Sequence, residues 1–171
     1  HRGDLRLVAH LGQEERDHRE PEHAPAAGAS NADSKGSMAG QIGVQLEADG
    51  TGFAEVVAVC DIVEARAKGA AANVKKITGK EPAMYFGDEN VWEKMVARDD
   101  IDVVYVATPW EWHVPMALKA MEHGKHVFME VSPAVTVDEC WQLVDMSEKT
   151  QRHCAIIENC CYGEEELFVL N

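Results

Sequence analysis

Three features are missing from this chain, and each absence removes a class of protein. No apolar run approaches the roughly 18 residues needed to cross a bilayer as a helix. No CxxC pair occurs among the five cysteines (Cys60, Cys140, Cys154, Cys160 and Cys161), and their number is odd. Neither a disulfide framework nor a zinc site is therefore indicated, and reduced, mostly buried thiols are expected. Positive charge is also scarce: 16 Lys and Arg face 30 Asp and Glu, for a net charge of -14. That balance argues against nucleic acid or an anionic membrane as a partner. The amino-terminal HRGDLRLVAHLGQEERDHRE has too short an apolar run for a secretory signal and is followed by acidic residues. A soluble acidic domain is the expectation, with a cytoplasmic location favoured. His123 and His126 have a metal-like spacing, but they flank Gly124 at a turn and no metal site is assigned to them.

What is present is concentrated in Ile101 to Val131, IDVVYVATPWEWHVPMALKAMEHGKHVFMEV. Ile101 to Ala107 is a block of β-branched and aromatic residues without alternation, as in a parallel strand covered on both faces. Thr108-Pro109 stops it. Val114, Ala117, Leu118 and Met121 then fall on one helical face, Gly124 ends that helix, and Val127 to Met129 is the next strand. Such a βαβ unit places ligands beyond the carboxyl ends of its strands. Trp110, Glu111, Trp112, His113 and Glu130 stand there.

Along the rest of the chain, Leu5 to Leu11 could be a strand, but from Gln13 to Gly40 the only large apolar residue is Met38. Residues 13 to 37 are expected to be disordered or loosely attached, because they bury too little to offset their ordering entropy. Gln41 to Leu46 is a short candidate helix. Ala54 to Cys60 is a strand ending on Asp61, Ile62 to Ile77 a helix closed by Thr78-Gly79, Ala83 to Tyr85 a weak strand, and Asn90 to Arg98 a short helix. Thr136 to Glu139 has the form of a capping box, opening a helix whose face is Val137, Cys140, Trp141 and Val144. Cys154 to Glu158 is the last strand. The alternation of strands and helices gives an α/β class with a doubly wound parallel sheet. The expected division is a poorly ordered or divergent segment over 1–40, a dinucleotide-binding domain over 41–163, and the start of a connection over 164–171.

An acidic residue at the end of a second strand, about 20 residues after a glycine turn, accepts hydrogen bonds from the adenosine ribose in dinucleotide-binding folds. Asp61 has that position relative to Gly40; a helix N-cap is its bland alternative. The turn itself is degraded, since Gly36-Ser37-Met38-Ala39-Gly40 keeps only two glycines and the preceding residues form no strand.

Ala107-Thr108-Pro109, His113, Ala120, Gly124-Lys125-His126-Val127 and Glu130, in that order, resemble the nicotinamide-dependent glucose-fructose oxidoreductase and inositol dehydrogenase superfamily. The finer spelling Thr108-Pro109-Trp110-Glu111-Trp112-His113, with Glu130-Val131, Glu139-Cys140-Trp141 and Glu158-Asn159-Cys160-Cys161-Tyr162-Gly163, resembles glycoside hydrolase family 109. That family contains alpha-N-acetylgalactosaminidases that use bound NAD. The resemblance covers about Ala54 to Asn171. Where dehydrogenases of the superfamily carry Glu-Lys-Pro, this chain has Glu130-Val131-Ser132, which favours the glycosidase branch. The resemblance implies NAD as cofactor, a glycoside as small-molecule substrate, and transient oxidation of the sugar followed by elimination, hydration and re-reduction, a known exception to two-carboxylate glycoside hydrolysis. It implies that Asp61 holds the adenosine ribose, that Trp110, Glu111, Trp112 and His113 line the cofactor as a loop, and that Glu130, Val131 and Asn159 follow on the next strand ends. It also implies a place near the substrate for Tyr162. No catalytic residue is assigned, because family members continue past a position like Asn171 into an α+β substrate domain.

Two alternatives stay open: an NAD-dependent sugar oxidoreductase, and a non-catalytic nucleotide-binding fragment. The bland alternatives for single residues also remain. Trp110 and Trp112 could roof the sheet, His113 could cap the following helix, and Glu130 could be an ordinary exposed carboxylate. A homo-oligomer is also compatible with these residues.

Overall fold

The computed structural model describes residues 5–11, 54–157 and 168–169. The calls on residues 13–37, Gln41 to Leu46, Gly40, Asn159 and Tyr162 lie outside them. Six strands form one parallel sheet: β1 (Leu5–Leu11), β2 (Ala54–Cys60), β3 (Ala83–Tyr85), β4 (Val103–Ala107), β5 (His126–Met129) and β6 (Cys154–Ile156), in the spatial order β3-β2-β1-β4-β5-β6. Four helices alternate with them among the described residues: α1 (Glu64–Thr78), α2 (Val91–Val96), α3 (Trp110–Glu122) and α4 (Val137–Thr150).

This order is doubly wound about β1 and β4, which are neighbours in space although roughly ninety residues of chain separate them. Leu7 pairs with Val103 and Leu11 with Ala107. The strand at Leu5–Leu11 is thus an inner member of the sheet, although it lies in the 1–40 segment that the sequence set apart. On its other side β1 pairs with β2, with a register shift between Leu7 and Val8.

Strand β4 shows why its sequence lacks alternation. Val104 and Val106 pack into the core on one face with Trp92, Met95, Val114, Ala117 and Met121. Val103 and Tyr105 pack on the other face with Val56, Val59, Ala70, Ala71 and Val74. With helices on both faces, every position of the strand is apolar. Alanine at 67, 70 and 71 lets α1 sit close to the sheet. That helix ends at Gly79, whose φ of 73° suits a left-handed cap and whose N–H donates to Lys75 O at 2.8 Å.

Helix α4 has the expected capping box: Glu139 N–H donates to Thr136 Oγ1 at 3.2 Å, and Thr136 N–H to Glu139 Oε2 at 2.9 Å. Its expected apolar face is corrected by the structure. Val137, Trp141 and Val144 are exposed, Cys140 with them, and Leu143 is the only buried residue of the helix. The helix meets α3 and β6 along the stripe containing Leu143 and half-buried Met146, about one third of a turn from the stripe with the most conspicuous periodicity. Of the cysteines among the described residues, Cys60 is buried, Cys154 half-buried and Cys140 exposed.

Candidate functional site

In a parallel sheet all strand ends of one kind lie along one edge, so the residues after β2, β4 and β5 are brought together by topology. Main-chain bonds continue past the strands there. Asp61 N–H donates to Tyr85 O at 3.1 Å, Glu130 N–H to Val106 O at 2.9 Å and Ile157 N–H to Met129 O at 2.8 Å. Asp61 and Glu130 are therefore fixed at the carboxyl edge by backbone as well as by side chain.

Asp61 is fully buried, and its Oδ1 accepts from Val63 N–H at 2.7 Å. This bond closes the turn into α1, whose first residues have no other side-chain cap. Beside it, Cys60 is fully buried; burial, and secondarily the Asp61 charge, push its thiol up to about 12. A thiol so held is a packing group and not a nucleophile.

Trp110 to His113, expected as a loop, form the first turn of α3. Pro109 occupies the N-cap position, with Trp112 N–H donating to Pro109 O at 3.0 Å. The second proline, Pro115, lies inside the helix. This turn presents its side chains at three depths. Trp110 is 58% exposed and Glu111 is exposed, on the rim. Trp112 leans against the core, and His113 is 0% exposed. The two ring nitrogens of His113 lie 2.7 Å from Thr108 O and 2.6 Å from Ser132 O. His113 thus ties the exit of β4 to the exit of β5 from beneath, contacting main chain rather than the crevice.

Beyond β5, Glu130 is half-buried and accepts a hydrogen bond from the Tyr105 hydroxyl. Val131 is exposed and is joined to Ser132 by a cis peptide bond. Sequence reasoning missed Tyr105. The signal available was a single phenol in an otherwise aliphatic buried strand, since a buried Tyr O–H requires a partner. Among the described residues no group of three or more His, Cys, Asp or Glu is placed to hold a metal ion. No helix among them is long and apolar enough to cross a membrane.

A doubly wound parallel sheet, with a carboxylate after its second strand and a further carboxylate, two tryptophans and a helix amino terminus at the same edge, defines a dinucleotide-binding domain of the Rossmann type. The family model described as "Oxidoreductase family, NAD-binding Rossmann fold" matches residues 28–157. The chain belongs to that family. Solved structures agree on the fold: an NAD-binding protein from Listeria innocua has a TM-score of 0.65 at 24% identity, covering 98% of this chain and 39% of that one. The WlbA dehydrogenase from Bordetella pertussis, in complex with NADH and UDP-GlcNAcA, has a TM-score of 0.64 at 16% identity, covering 98% and 41%.

Among curated proteins, a glycosyl hydrolase family 109 protein of Shewanella sp. (strain W3-18-1) is 50% identical over 117 residues, 68% of this chain and 26% of that protein. The alpha-N-acetylgalactosaminidase of Shewanella oneidensis is 48% identical over 117 residues, with the same coverage. The chain spans about a quarter of the length of these relatives.

Proposed function

We propose that this chain is the NAD-binding domain of a glycosidase of the family 109 type, acting on a small-molecule alpha-N-acetylgalactosaminide. The observation that carries this reading is the carboxyl edge itself. The residues spelled as in that family, Trp110 to His113 with Glu130 and Val131, are gathered at one edge, and Asp61 ends a strand of the same sheet. The 48–50% identity to curated relatives bearing the glycosidase names extends over 117 residues.

The residues present fit NAD. Asp61 would hold the adenosine ribose, where its charge disfavours a 2′-phosphate. Trp110 offers an exposed indole, and Glu111 an exposed carboxylate, from the first turn of α3. Glu130 offers a carboxylate fixed by Tyr105, and Val131 an apolar contact where many relatives' dehydrogenase chemistry uses a lysine. His113 holds the two strand exits at their spacing. Gly40, Asn159 and Tyr162 complete the assignment, the last toward substrate. When bound, NAD supplies a temporary hydride acceptor at the sugar, so the domain's own part is binding, orientation and electrostatics around it.

The test is a chimaera in which residues 54–171 of this chain replace the matching segment of the Shewanella oneidensis alpha-N-acetylgalactosaminidase, assayed with a chromogenic alpha-N-acetylgalactosaminide. Turnover that requires NAD is expected. NAD binding without turnover would favour the oxidoreductase alternative, and turnover indifferent to NAD would refute the redox role. By itself this chain should hydrolyse no such substrate. Hydride transfer needs the sugar in near-attack geometry, where about 1 Å of misplacement costs on the order of a hundredfold.

A further inference from the structure

Strands β4 and β5 run parallel with Tyr105 paired to Phe128. Successive side chains of a strand point to opposite faces, so the residue on the same face as Phe128 and one step nearer the carboxyl edge is Glu130. A phenol is long enough to span that diagonal step, and the Tyr105 hydroxyl donates to Glu130 Oε1. Tyr105 is itself 2% exposed and packs among Val56, Val59 and Val74. It cannot reach a ligand in the crevice. Glu130 Oε2 takes no hydrogen bond from the described residues.

We infer that Tyr105 is a positioning residue: it fixes one oxygen of the Glu130 carboxylate from inside the sheet, so that the other is presented to a hydroxyl or amide N–H donor of the dinucleotide. This rests on the cofactor reading given above. An unsupported glutamate has three rotatable bonds and would sample many orientations at a half-exposed strand end. Fixing one oxygen leaves the second in a single place, and the ordering entropy is spent during folding rather than on binding. Burial first, then the hydrogen bond to Glu130 and its charge, raise the pKa of the phenol above its ordinary value, so Tyr105 keeps its proton and donates to Glu130. The phenol also occurs where an aliphatic residue would pack with less demand for a polar partner.

The experiment measures NAD affinity by titration for the wild-type chain, Tyr105→Phe, Glu130→Ala and the double variant. Tyr105→Phe keeps the ring in the core and removes only the hydroxyl. It should weaken NAD binding by about threefold to tenfold in the wild-type background, the size of one hydrogen bond's net effect. In the Glu130→Ala background the same change should do nothing, because the residue through which Tyr105 acts is gone. An equal weakening in both backgrounds, or none in either, overturns the inference. Failure of the wild-type chain to bind NAD refutes the cofactor reading instead, and the inference with it. A second measurement needs no ligand: the side-chain carboxylate resonance of Glu130 should be displaced from that of exposed Glu111 and return toward it in Tyr105→Phe. Coincident Glu130 and Glu111 resonances in the wild-type chain also overturn the inference.

Discussion

At the amino ends of β4, β5 and β6 polar side chains are bonded to main chain or to each other, whereas at the carboxyl ends of β4 and β5 they are held from behind beside exposed groups. Lys125, 6% exposed, donates through Nζ to Arg98 O at 2.6 Å. Arg98 grips Asp100 with two bonds, Nε to Oδ1 at 2.8 Å and Nη2 to Oδ2 at 2.6 Å. His153 N–H donates to His126 Nδ1 at 2.9 Å, and Ser147 Oγ to Arg152 O at 2.6 Å. The Lys125–Arg98 and His153–His126 bonds each join one connection to the next, and the other two brace a single connection. At the opposite edge His113 and Tyr105 bind the main chain and Glu130 in the same manner, but beside them Trp110, Glu111 and Val131 are exposed and Glu130 is only half-buried. One edge is closed upon itself and the other is prepared for something else. In a parallel sheet this is expected, because the crevice lies where the loops diverge after the strands.

Substitutions at the two edges should therefore separate stability from binding. The largest effect is expected at Lys125. Lys125→Ala removes a buried stem and the bond to Arg98 O, and should cost about 2 kcal/mol in denaturant unfolding while leaving the NAD affinity of the folded protein unchanged. A parallel loss of NAD affinity would break the division between edges. Next, NADP should bind more than about tenfold more weakly than NAD, because a 2′-phosphate would face the Asp61 carboxylate. Calorimetric titration giving equal affinities would remove Asp61 from the ribose. Trp110→Ala is the mirror image of the lysine change. The side chain is 58% exposed, so stability should stay within about 0.5 kcal/mol. Loss of its aromatic contact should weaken NAD by roughly threefold to tenfold, near the 1 kcal/mol scale of a single aromatic contact.

The smallest effect is a pH dependence at the closed edge. Burial first, then the neighbouring charges of His153 and Arg152, lower the His126 pKa below 6.5, with Asp102 opposing them. The folded chain thus binds fewer protons at this site than the unfolded chain, and stability falls as pH drops through 6.5 toward the folded value. Below that value the loss is complete, with the Nδ1 acceptor for His153 N–H protonated. His126→Asn, which keeps an acceptor without the titration, should flatten this part of the curve in thermal melts across pH; an unchanged slope would assign it elsewhere.

Much of this arrangement was legible in the sequence because it follows from local rules. Apolar runs gave strands β2 and β4, Thr136 with Glu139 gave the start of α4, and Gly79 and Gly124, with φ of 73° and 75°, gave the ends of α1 and α3. Strand β1 was harder to place, because only pairing with β2 and β4 shows that Leu5–Leu11 is central. Trp110 to His113 were expected in a loop because the family resemblance placed them there, between the end of β4 at Thr108-Pro109 and the helical face that begins at Val114. Pro109 instead takes the N-cap, where its missing N–H costs no helical bond. The outward face of α4 was misjudged because periodicity shows that a stripe is apolar, not which stripe meets a neighbour. Tyr105 was missed for a related reason: its partner is 25 residues away, and only the register of β4 on β5 brings the two together.

The most direct test of the division between edges is to titrate NAD into the isotopically labelled chain and map the amide resonances that move. The account predicts perturbations at Asp61, at Thr108 and 110–113 and at Glu130 and Val131, with Asp102, Lys125, His126 and His153 unmoved. Shifts concentrated at the latter group, or no shifts at saturating NAD, would contradict it.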